Sequence, residues 1–178
     1  MTLHRCAKCG AEHDLADLEP SFTFPDAYLD VPEPERKFRT FVGPDDCRIR
    51  DAADTVRRYF LRGLMPVPVY GDAQPCSWGV WVEVSERAFK RTSELWDDPA
   101  QGAEPPFPAT LANTIPEYPP TIGLPGLLQL TGPKTRPTFT LTPDVTHPLA
   151  AEQRGGVYPE RVIEWLVISS TIRGNAAA

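Results

Sequence analysis

Cys76-Ser77-Trp78-Gly79-Val80-Trp81-Val82-Glu83-Val84, followed directly by Ser85-Glu86-Arg87-Ala88-Phe89, decides how this chain is read. Trp78, Val80, Val82 and Val84 recur with a period of two, so an extended strand puts them on one face. Trp81 falls on the other face, which gives both sides of the strand a bulky side chain. Gly79, between the two tryptophans, lets another chain or a ligand approach the backbone closely. Ser85 is a good N-cap, because its hydroxyl can accept a bond from an amide of the first helical turn. A helix is therefore predicted from Ser85 to about Trp96, with Ala88, Phe89, Thr92 and Trp96 on its apolar side.

Upstream, Asp46–Arg50 alternates and reads as a strand. Tyr59-Phe60-Leu61 runs into Arg62-Gly63, a turn signal, before the apolar run Leu64–Val69. Residues 14–45 are interrupted by Pro20, Pro25, Pro32, Pro34 and Pro44, with a helical stretch expected near Glu35–Phe41. Downstream, Asp97–Pro108 reads as a loop. Leu124–Leu130 and Thr138–Leu141 read as two strands around Gly132-Pro133-Lys134. Residues 148–154 and 159–170 are predicted to form a short and a longer helix. The 21 prolines among 178 residues, about 12% against an average near 5%, favour short elements and long ordered loops. Strands are followed by helices without regular βαβ alternation. The expected fold is α+β: a mainly antiparallel sheet with flanking helices and an N-terminal cysteine knuckle. One domain over residues 1–178 is expected, with the knuckle at 1–13 and a loose tail at 171–178.

The net charge is −6, from 18 basic and 24 acidic residues. Residues 1–60 carry 9 basic and 12 acidic side chains, and residues 61–178 carry the same, so neither part is basic. Without a basic arm or tail, neither nucleic acid nor an anionic membrane surface is an expected partner. The N-terminus has no apolar h-region, and Val162–Ile168 is too short to span a bilayer and contains Glu164. A cytoplasmic location is expected, with Cys6, Cys9, Cys47 and Cys76 as thiols or metal ligands and no disulfides.

Cys6-Ala7-Lys8-Cys9-Gly10 has the spacing of a zinc knuckle, in which a turn directs two sulfurs at one ion. Cys47 and His13, or His4 in its place, complete a candidate tetrahedron. Such a zinc would be structural, because three thiolates and an imidazole leave no open position. Two surface cysteines and a Cys47 that packs as a small hydrophobe are the alternative. A second constellation is His147, Glu152 and Arg136. If a helix starts at Pro148, Glu152 sits about one turn above His147 and can reach back toward it. Arg136, from the preceding strand, could hold that carboxylate bidentately. An imidazole beside a carboxylate can act as an acid–base pair, or the group can simply tie strand to helix. No G-x-S-x-G elbow and no phosphate-cradling glycine loop occurs.

Several runs recur in a familiar order: Arg62-Gly63, Trp78-Gly-Val-Trp81-Val, Leu111-Ala-Asn-Thr-Ile-Pro-Glu-Tyr118-Pro-Pro-Thr121, Arg136-Pro137 and His147-Pro-Leu-Ala-Ala-Glu152-Gln153. With Cys6-x-x-Cys9-Gly10 and Asp46-Cys47, they make the chain resemble, over about residues 4–168, the bacterial family called domain of unknown function 2199. The resemblance implies kinship and no activity. It also sets Cys76 outside any shared ligand set, because an aromatic residue usually stands at that place.

The expected function is therefore that of a bacterial cytosolic protein, a non-enzymatic binding or interaction module with a structural zinc and a protein or small-molecule partner. A small enzyme, possibly a hydrolase using His147 and Glu152, is the first alternative. An immunity or antitoxin-like protein is the second.

Overall fold

A computed structural model of the chain describes residues 3–5, 12–14 and 19–175, with side chains over residues 19–168. Cys6, Cys9 and the end of the expected tail, 176–178, lie outside the described residues. A short hairpin, β1 (Leu3–Arg5) and β2 (Glu12–Asp14), pairs antiparallel with His4 opposite His13. A separate sheet holds seven strands in sequence order: β3 (Thr40–Val42), β4 (Asp46–Arg50), β5 (Arg57–Val67), β6 (Cys76–Val84), β7 (Phe107–Leu111), β8 (Pro125–Gln129) and β9 (Thr138–Leu141).

All consecutive neighbours are antiparallel, but the sheet is not open as expected. Strand β9 returns to β5 and pairs with it in parallel at Leu64 and Thr138, closing β5 to β9 into a five-stranded barrel with β4 and β3 as an extension. The parallel seam is geometrically required. With an odd number of strands that alternate in direction, the first and last run the same way. Closure also explains why Arg62-Gly63 is not a turn: β5 runs straight through it for 11 residues. A Cβ at Gly63 would lie 3.2 Å from both Leu128 Cδ1 and the Pro137 carbonyl, so this glycine lets the seam come together.

Period two along each strand fills the barrel. Leu61, Met65 and Val67 of β5 meet Trp78, Val80 and Val82 of β6, Leu111 of β7, Leu128 of β8, and Phe139 and Leu141 of β9. Helix α3 (Glu86–Leu95) starts at Ser85, whose Oγ accepts from the Ala88 amide, and it buries Ala88, Phe89, Thr92 and Leu95. Two further helices, α4 (Pro148–Gly155) and α5 (Pro159–Asn175), add Leu149, Ala150, Val162 and Trp165 to the same core. The region expected as a 171–178 tail thus overlaps the end of α5.

Trp81 faces a second cluster with Val31, Cys47, Ile49, Phe60 and Ala112. The proline-broken segment around α1 (Asp26–Leu29) and α2 (Glu33–Arg39) covers it. This segment is stitched to the barrel through polar atoms. Gly79 donates to the Pro20 carbonyl and accepts from Phe22, each at 2.9 Å. Fully buried Asn113 accepts from the Trp81 amide at 2.7 Å and donates to the Phe24 carbonyl at 2.9 Å and to Asp26 at 3.0 Å. The close approach expected at Gly79 is thus made by the chain itself.

Candidate functional site

His147 is the N-cap of α4. Its Nδ1 accepts from the Leu149 amide at 3.1 Å, with Pro148 in the first turn where its missing N–H costs nothing. Glu152, further along α4, accepts from the Tyr118 hydroxyl and lies 3.4 Å from Arg161 Nε of α5. Arg161 also pairs with Glu117 at 3.2 Å and Glu164 at 2.7 Å, and its guanidinium sits 5.2 Å from the Tyr118 ring centroid. Trp165 donates its indole N–H to the Tyr118 oxygen at 3.2 Å. Burial, and then the bond to Glu152, push the Tyr118 phenol well above its ordinary range. Burial works against the Arg161 charge, but the bond to Glu164 and the neighbouring Tyr118 outweigh it, so the guanidinium is held more firmly protonated.

The expected triplet is therefore only partly assembled. His147 and Glu152 both approach Tyr118, the former with ring centroids 6.3 Å apart and its Nε2 3.4 Å from the Pro119 carbonyl. Arg136 is not with them. It bonds Asp45 at 2.7 Å and lies 3.8 Å from Glu19. The reason is the barrel seam. Arg136 precedes β9 where β9 meets β5, and the carboxylate nearest that seam belongs to the turn before β4. Tyr118 and Arg161 hold Glu152 instead. Gln153 is engaged as well: it accepts from the Leu141 amide at 2.8 Å and donates to the Phe139 carbonyl at 3.0 Å, tying α4 to β9.

Cys47 is enclosed by the second cluster at 0% exposure, and desolvation pushes its thiol up to about 12. These are the surroundings of a small hydrophobe and not of a thiolate. Among the described residues no group of three or more His, Cys, Asp and Glu side chains could hold a metal ion. Cys6 and Cys9 lie outside those residues, and of His4 and His13 only the backbone register is described.

A second site lies where the chain concentrates basic side chains, although neither part of the sequence is basic. The face of β5 that sends Leu61 and Met65 into the barrel also carries Tyr59 and Arg57 beyond its end. There β4 adds Arg48, opposite Tyr59, and Arg50, opposite Arg57, while β3 adds Phe41, opposite Arg48. Phe89, Glu86 and Lys90 of α3, and Phe38 and Arg39 at the end of α2, close a cleft of about 440 Å³. Five cationic side chains and one carboxylate line it.

Three of the cations are neutralised locally: Arg39 by Glu35, Arg50 by Asp54 at 3.3 Å, and Lys90 by Glu86 at 2.8 Å. Arg48 and Arg57 make no ion pair or side-chain hydrogen bond among the described residues. Asp46 and Glu86, respectively, are acidic groups that feel their charge. The Arg48 guanidinium lies 4.3 Å from the centroid of Phe41, a ring 49% exposed, and Phe38 beside it is 64% exposed. A signal for this cleft does exist in the chain. With Cys47 and Ile49 inward, Arg48 and Arg50 must share the outward face of β4, and Arg57 starts the next strand.

Over residues 5–157 the chain matches the family described as an uncharacterized protein conserved in bacteria (DUF2199), and it belongs to that family. The matched residues include the cleft, Tyr118, His147 and Glu152, and end before α5. No curated protein and no solved structure matches the chain.

Proposed function

We propose that this member of the family is a non-catalytic binding protein that takes up an anionic ligand in the cleft formed by β3, β4, β5 and α3. The observation that carries the reading is the Arg50–Arg57 pair. The two stand directly opposite each other across β4 and β5, and the unpaired Arg48 is one diagonal step away. Like charges in that position oppose sheet formation. A bound anion with several acceptor oxygens would turn the repulsion into charge-assisted hydrogen bonds, the role for which the guanidinium fork is best suited. The acid–base alternative has less support, since His147 is spent as a helix cap and Glu152 is held by Tyr118 and Arg161. The test is saturable binding of inorganic tripolyphosphate, which should raise the melting temperature of the wild-type chain and leave that of Arg48→Ala/Arg57→Ala unmoved. No stabilisation of the wild type would reject the reading.

A structural zinc at the N-terminus is a second proposal, favoured by the hairpin register. β1 and β2 bracket the sequence Cys6–Ala11, and His4 stands opposite His13. Cys6, Cys9, His4 and His13 are the four donors it would use, with Cys47 left to the core. Purified protein should then contain about one zinc per chain, and Cys9→Ser should lose it. Metal-free protein would remove this proposal and leave the cleft untouched.

A further inference from the structure

Resting on the anion-binding reading, we propose that the ligand of the cleft is a small nucleoside phosphate, held by its phosphates on Arg48 and Arg57 and by its base on the exposed ring surface of Phe41 and Phe38. The volume of about 440 Å³ is that of a small-molecule site. Two chemistries adjoin in it. The arginines of β4 and β5 offer forked donors that match phosphate oxygens. Beside them, Phe41 with the Arg48 guanidinium 4.3 Å from its centroid, together with Phe38, offers flat apolar and cationic surface. Nucleobases stack on such surfaces whatever their identity, because every base has a π-face.

The surroundings argue for a small ligand over a polymer. The basic lining ends in carboxylates: Glu35, Asp54 and Glu86, with side-chain exposures of 48%, 54% and 54%, stand beside Arg39, Arg50 and Lys90. A nucleic-acid strand leaving the cleft would carry its phosphates past these groups. It would also approach a protein of net charge −6, which repels an extended polyanion far more than a compact one. A free inorganic anion would satisfy the arginines but leave Phe41 and Phe38, 49% and 64% exposed even with Arg48 and Lys37 over their rings, open to solvent.

The experiment is calorimetric titration of the full chain with ATP, inorganic tripolyphosphate, adenosine and a thymidine oligonucleotide, at physiological ionic strength and without added divalent cation. ATP should bind at least tenfold more tightly than tripolyphosphate, and adenosine alone should not bind measurably. Phe41→Ala should weaken ATP about tenfold and leave tripolyphosphate unchanged, in the range of one lost base stack. Arg57→Ala and Arg48→Gln should weaken both, with melting temperatures showing that each variant is folded. Equal affinity for ATP and tripolyphosphate would overturn the nucleoside assignment while the anion-binding reading stood. No binding of either would overturn both. An oligonucleotide that binds more tightly than ATP would replace the small ligand with a polymer.

Discussion

Two polar clusters of similar composition lie toward different ends of β5 and β6, one near Trp78 and one near Tyr59, and they differ in what is left over. Around Tyr118, one arginine meets three carboxylates, a phenol joins Glu152 to the Trp165 indole, and α4 and α5 are fastened together. Around Arg48, five cations share one lining carboxylate, and two guanidiniums stay unpaired among the described residues. A group whose partners are supplied by its own chain contributes to the fold. A group held close to like charge, without partners, works against the fold and marks where an external partner belongs. Residue types do not separate the two, since each has arginines, aromatics and acids. Completeness does.

Substitutions should therefore act in opposite senses in the two clusters. The largest effect is expected from Trp165→Ala. It removes a ring buried to 1% exposure, which packs at a tilt against Trp78 with centroids 5.4 Å apart and donates to Tyr118, and should cost about 3–5 kcal/mol in a denaturant titration. Next comes Tyr118→Phe, which leaves Glu152 without its hydroxyl donor and the Trp165 N–H without its acceptor, for about 1–3 kcal/mol. A neutral result there would show that water replaces the phenol and that this cluster is not the lock described.

In the cleft, Arg57→Ala should leave stability unchanged or raise it by about 0.2–1 kcal/mol, because it relieves the cross-strand repulsion with Arg50. A clear loss of stability would mean that Arg57 serves the fold after all. The last effect is one of pH slope, silent at neutral pH, and concerns the buried Cys76. Desolvation raises its thiol from 9.0 to about 12 in the folded protein. The unfolded chain ionises first, so this contribution is complete below pH 9 and is lost as pH rises toward 12. Stability followed by denaturant titration should therefore fall less steeply above pH 9 in Cys76→Ala than in the wild type.

Periodicity and capping were enough to read β4, β6, α3, β8, β9 and the starts of α4 and α5, because each depends on local spacing or on a single cap such as Ser85. Barrel closure was not readable. It depends on Leu64 meeting Thr138, a pairing that leaves no local pattern, and on Gly63, whose missing side chain reads as a turn until β9 is placed beside it. β7 was hidden because Pro105, Pro106 and Pro108 mark a loop around a strand whose few residues pair at the end of β6. Of the site, His147 and Glu152 stood out because a helix start and a one-turn spacing join them. Tyr118 and Arg161, which complete their cluster, come from distant segments. Charge summed along the chain hides the cleft. The alternation Cys47-Arg48-Ile49-Arg50 held the information, but it becomes a concentration of charge only when β5 brings Arg57 alongside.

The parallel seam also sets an order of events in time. Strand β4 pairs with β5 only as far as Leu61, so the rest of the β5 edge stays open until the segment carrying Thr138 has been synthesised, and the β9 edge is completed only when Gln153 of α4 reaches Phe139 and Leu141. The apolar faces of β5 and β6 must therefore wait through much of synthesis before the barrel can shut over them. Such late, long-range closure slows folding and leaves sticky surface exposed meanwhile. A nascent chain cut just before Gln153 should accordingly be a ready substrate for chaperones.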